Sequence, residues 1–104
     1  MNKTVFGLII CIVMLGACSK SNTNPGYTPD CTGATKSYST DVLPVFQTSC
    51  NGCHSNFSSY AQISADKAYI RSKIVDGSMP KSGSLSTTQK NNVVCWIDNG
   101  APNN

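Results

Sequence analysis

The sequence has no glutamate, one histidine (His54), one tryptophan (Trp96) and only 12% charged residues in 104. Each scarcity excludes something. With a single imidazole, a role for it as a metal ligand leaves no acid, base and nucleophile set for hydrolytic chemistry. No run of Lys or Arg marks a nucleic-acid surface, and a formal net charge of +3 reads as a solvated mixed surface. One histidine also excludes a pair of imidazoles from this chain on one metal. The length allows one domain at most.

The long apolar runs are confined to the beginning. Lys3 precedes a nearly uninterrupted apolar stretch, Val5 to Ala17, which is the charged-then-apolar pattern of an export signal. It falls short of the roughly 20 residues that span a bilayer. Leu15-Gly16-Ala17-Cys18 resembles the lipobox of bacterial lipoproteins. That resemblance implies cleavage before Cys18 and acylation there, since several acyl chains anchor firmly where one holds marginally. Ser19 favours the outer over the inner membrane of a bacterial envelope. The alternative is an ordinary cleaved signal, with Cys18 coincidental. The chain therefore divides into a signal (1–17), a lipidated polar tether (18–30) and a domain (31–104). A domain of 74 residues makes a marginal core without a disulfide, metal or large cofactor.

Six cysteines divide by place. Cys11 leaves with the signal and Cys18 is the lipid site. Cys50 and Cys53 stand in Cys50-Asn51-Gly52-Cys53-His54, the attachment signature of c-type haem. Two thiols add across the haem vinyl groups, and the adjacent histidine lies under the iron. Three rivals share these residues: a thioredoxin-like dithiol, which wants a strand before the motif; structural zinc, for which adjacent Cys53 and His54 are awkward ligands; and a plain Cys50–Cys53 disulfide. Cys31 and Cys95 remain, and an oxidising compartment favours their pairing over two separate buried thiols.

Met79 is the one methionine left after the signal is removed. It sits in Gly77-Ser78-Met79-Pro80, and its thioether suits the sixth position of a haem iron. Its alternative is a loop or core methionine, which leaves the iron site five-coordinate, or open to Lys81 or a small molecule. No segment alternates for long, so the domain reads as all-α. The first helix covers Asp41 to Thr48 with Thr40 as cap; its apolar stripe is Val42, Val45, Phe46 and Leu43. A turn follows at Ser59–Ile63, then a helix over Ala65 to Val75 capped by Ser64, with Ala68, Tyr69, Ile70 and Ile74 apolar. Arg71 and Lys73 near its end are propionate partners or simply solvated. Ser86-Thr87-Thr88-Gln89 fits a capping box opening the last helix, and Gly100 with Pro102 closes it. Val93, Val94, Trp96 and Ile97 face inward.

Residues Tyr38 to Asn104 are similar to small class I-type cytochrome c domains of bacterial lipoproteins. The likeness is carried by Tyr38 to Phe46, Cys50 to His54, Ser78-Met79-Pro80, Leu85-Ser86 and Trp96 to Asn104. It implies three to four short helices around one covalently bound haem c, with His54 and Met79 on the iron. It implies an electron carrier, not an enzyme, working between redox proteins of the membrane or periplasm. The chain would be lipid-anchored and face the periplasm. The interval from His54 to Met79, 25 positions, is shorter than in mitochondrial-type relatives. The competing readings are a haem sensor or enzyme with an open iron site, and a non-redox binding module.

Overall fold

A computed structural model describes residues Tyr27–Asn104. The signal, the lipobox and the first part of the tether lie outside the described residues, Cys11 and Cys18 among them. All regular structure among the described residues is helical: a π-helical turn Tyr38–Val42, then α1 (Leu43–Ser49), α2 (Tyr60–Ala65), α3 (Lys67–Val75) and α4 (Thr87–Asp98).

Local chemistry sets these boundaries. The first helix starts earlier than Thr40. Ser37 is the cap: its hydroxyl accepts from the Thr40 amide at 3.1 Å, and its own amide donates to the Asp41 carboxylate at 2.8 Å. Asp41 thus closes a reciprocal cap instead of merely facing the helix dipole. Pro44 stands in the first turn of α1, where a missing N–H costs little. Ser59 caps α2 through the Gln62 amide. α2 and α3 are separate, joined at Asp66, so Ser64 is no cap. Ser86 and Gln89 form the capping box of α4. Gly100, with φ of +95°, turns the chain away after it.

α4 packs on α3 and on the π-helical turn. Trp96 is fully buried at the meeting point, 5.8 Å from the Tyr38 ring and 6.3 Å from the Tyr60 ring. Tyr38 and Tyr60 meet edge to face at 5.3 Å. The polar ends of Trp96 and Tyr60 are matched by the C-terminal tail. Trp96 Nε1 donates to the Pro102 carbonyl at 2.8 Å, and the Tyr60 hydroxyl donates to the Ala101 carbonyl at 2.8 Å. The tail is tied back by Ser39 N–H to the Asn104 carbonyl at 2.9 Å.

The segment expected to be a free tether is fastened at its end. The Tyr27 hydroxyl donates to Asn91 Oδ1 at 3.0 Å, and the Asp30 amide donates to the same oxygen at 3.2 Å. Cys31 and Cys95 are joined as a disulfide, closing a span of 64 positions. Residues 27–37 therefore form a strap across α4. Among the described residues no helix is long and apolar enough to cross a membrane.

Candidate functional site

One apolar cleft of about 320 Å³ collects most of the residues singled out by their chemistry. Cys50, Cys53, His54 and Met79 all line it, with Phe46, Phe57, Ile70, Ile74 and Leu85 among its apolar walls. Three elements bring these together. The end of α1 carries Cys50, whose amide donates to the Phe46 carbonyl at 3.1 Å. A turn follows in which the Cys53 and His54 amides both donate to the Cys50 carbonyl, at 3.2 and 2.9 Å. The Asn51 amide group, oriented to suit its neighbours, donates to the Phe57 carbonyl at 2.6 Å and the Phe46 carbonyl at 3.2 Å. The His54 ring lies 5.1 Å from the Phe57 ring, which in turn meets Phe46 edge to face at 5.8 Å.

Met79 arrives from the opposite end of the sequence motif set. α3 stops at Val75, and Gly77 takes a φ of +79°, a conformation that suits a residue without Cβ. The Asp76 carboxylate accepts from the Ser78 amide at 2.8 Å and from its hydroxyl at 2.5 Å. The Met79 amide then donates back to the Lys73 carbonyl at 3.2 Å. The Met79–Pro80 peptide is cis. These ties deliver Met79 to the cleft that holds His54, 25 positions away.

Cys50 and Cys53 are thiols, Cys50 half-buried and Cys53 exposed. Burial pushes the Cys50 thiol above its ordinary pKa. A raised pKa keeps this thiol protonated, the reverse of the lowered value that makes a dithiol reactive. The chain before the motif is helical, not a strand, so two features oppose a thioredoxin-like reading.

Arg71 does not line the cleft. It makes a two-pronged pair with Asp98, Nε to Oδ1 at 2.6 Å and Nη2 to Oδ2 at 3.0 Å, joining α3 to α4. Lys73 and Lys81 do border the cleft, and so does Tyr69, which is 55% exposed and not the core residue expected. Phe57 carries part of the wall and was not singled out from the sequence. Its only signal is a lone aromatic three positions after His54 in a polar stretch.

No family model, curated protein or solved structure matches this chain. Among the described residues no group of three or more His, Cys, Asp or Glu side chains gathers to hold a metal ion. The expectations of a class I-type cytochrome c domain, of haem c with its iron as metal centre, and of an electron carrier are corrected accordingly. They are implications of short motifs that neither the comparisons nor the fold establishes. The scope of the correction is physical. The missing cluster removes an ion held by such side chains alone, including the zinc weighed for Cys50, Cys53 and His54. The fourth zinc ligand is also lost, because Cys31 and Cys95 are bonded to each other. Iron within a porphyrin takes four ligands from the macrocycle and asks the chain for two. Here those would be an imidazole and a thioether, and a thioether is not among those residue types. The missing cluster therefore does not bear on haem, and the disulfide leaves the Cys50 and Cys53 thiols free.

Proposed function

We propose that the cleft binds a flat, largely apolar cofactor, captured by the Cys50 and Cys53 thiols, with His54 and Met79 as its donor side chains. One observation carries the reading. Four chemically distinctive residues, spread over 29 positions, line a single cleft whose other walls are mostly apolar. A small domain gains from such a partner, since it leaves a large share of its apolar surface uncovered when folded alone. Covalent capture keeps a ligand that so small a domain cannot enclose. Each capture is an addition: the thiol sulfur bonds one carbon of a ligand C=C, its hydrogen goes to the other, and no oxidant is consumed. An imidazole and a thioether together suit a metal of intermediate to soft character held within the ligand.

The same reading puts the domain outside the cytoplasm, carried by acyl chains on Cys18. The Cys31–Cys95 disulfide supports an oxidising compartment.

The test is the intact mass of mature protein purified from its native membranes and denatured before measurement. The expected result is a mass excess beyond chain and acyl groups that survives denaturation and disappears in Cys50→Ser/Cys53→Ser. The excess and the visible spectrum together identify the cofactor. A chain of bare mass, with both motif thiols open to alkylation, overturns the proposal.

A further inference from the structure

We propose that the Cys31–Cys95 disulfide is a redox latch: a dithiol reductant reaches it in the folded domain, opens it and frees the strap from α4, while the helices and the cleft stay in place. The inference is independent of what occupies the cleft. Both half-cystines line a second, open pocket of about 210 Å³, where the strap crosses the C-terminal half of α4. Cys31 is exposed, and Cys95 is buried on α4. The pocket shares no residue with the cofactor cleft. Exposed disulfides are the labile ones, since exchange requires a thiolate to reach a sulfur. The exchange balances. A thiolate of the dithiol bonds to the exposed Cys31 sulfur, and the Cys31–Cys95 bond breaks with its electron pair going to Cys95. The second thiol of the reductant then attacks the mixed disulfide and releases Cys31. The reductant leaves as a disulfide, and its two protons pass to Cys31 and Cys95. The Asp30 carbonyl lies 3.4 Å from the Cys95 sulfur, in place to accept the new S–H. Lys36 lines the pocket, and its positive charge favours thiolates there. Asp98 lines it too, with its carboxylate engaged by Arg71.

Little else holds the strap. Residues Cys31 to Thr35 are all exposed. Before them, two hydrogen bonds reach the one Asn91 oxygen, and the half-buried Tyr27 ring lies 4.9 Å from Lys90 Nζ. Those contacts do not offset the backbone entropy of holding ten residues in one conformation. The fully buried core contains no strap residue, so the helices keep their packing when the strap leaves. With the latch open, the ordered body begins at Ser37 instead of Tyr27. That adds ten positions to the chain before the fold, about 35 Å when extended.

The test applies dithiothreitol to the full mature chain without denaturant. Samples are quenched in acid, free thiols are alkylated, and Cys31 and Cys95 are read by peptide mass. The reduction rate is expected to rise in proportion to dithiothreitol and to change less than about 1.5-fold on adding about 1 M urea. Exchange that waits for global unfolding speeds up about fivefold over that range in a domain of this size, and this result overturns the inference. In the reduced chain, NMR order parameters of the Asp30 to Thr32 amides are expected to fall from about 0.85 to below about 0.6, while those of α3 and α4 hold. Cys31→Ser/Cys95→Ser is expected to show the same loose strap without reductant. A strap that stays ordered in either protein, or α3 and α4 loosening together with it, also overturns the inference.

Discussion

Removing the Cys31–Cys95 crosslink is the perturbation with the largest effect that can be worked from the fold. The bond spans 64 positions, and loop-closure entropy for a ring of that size amounts to about 4 kcal/mol at 25 °C on the chain-entropy model. The total stability of a 78-residue domain is of order 4–12 kcal/mol. The crosslink thus accounts for a third or more of the folded state's margin. Cys31→Ala/Cys95→Ala is unfolded in urea beside the parent chain and followed by far-ultraviolet circular dichroism. Most of the loss arises in the unfolded ensemble, so the native spectrum is expected to stay helical while the midpoint falls. The slope with urea is expected to rise, because an uncrosslinked chain exposes more surface on unfolding. A loss below about 1 kcal/mol refutes the reasoning. It would mean that the unfolded chain stays compact between these positions whether or not they are bonded.

Two further outcomes are expected. Gly77→Ala places a Cβ at a φ of +79° and should cost about 1–2 kcal/mol; thermal melts check this. Asp98→Asn removes the pair with Arg71, whose side chains are each 39% exposed, and such a pair contributes about 0.5 kcal/mol at most sites. The Arg71 hydrogen bond holds the Asp98 carboxyl below its ordinary pKa. This contribution is therefore present above the unfolded value, near pH 4, and is lost as pH falls through the lower folded value. The melting difference between parent and Asp98→Asn should be small but measurable at pH 7 and vanish in strong acid. A difference that grows on acidification contradicts the assignment.

Some elements were plain from local chemistry because their signals are local. Ser86 and Gln89 satisfy each other's neighbouring amides within one turn, so the start of α4 is legible without its surroundings. The Thr40 cap failed because Ser37 and Asp41 offered a better reciprocal arrangement one turn earlier. Tyr69 shows the reverse problem. Helical spacing placed it with Ile70 and Ile74, yet the neighbouring elements cover only those two and leave Tyr69 at the cleft's rim. Arg71 was a reasonable propionate partner by position alone, but Asp98 lies 27 positions away in sequence and within hydrogen-bond reach in space.

The order of residues alone determined the helical character and the grouping of Cys50, Cys53 and His54, since these depend on spacing within a few turns. Only the tertiary structure decided that Met79 shares their cleft, that Arg71 does not, and that the chain is fastened from Tyr27 onward. Those facts depend on how α3 and α4 meet, and pairings between distant positions are set by packing that no single segment encodes.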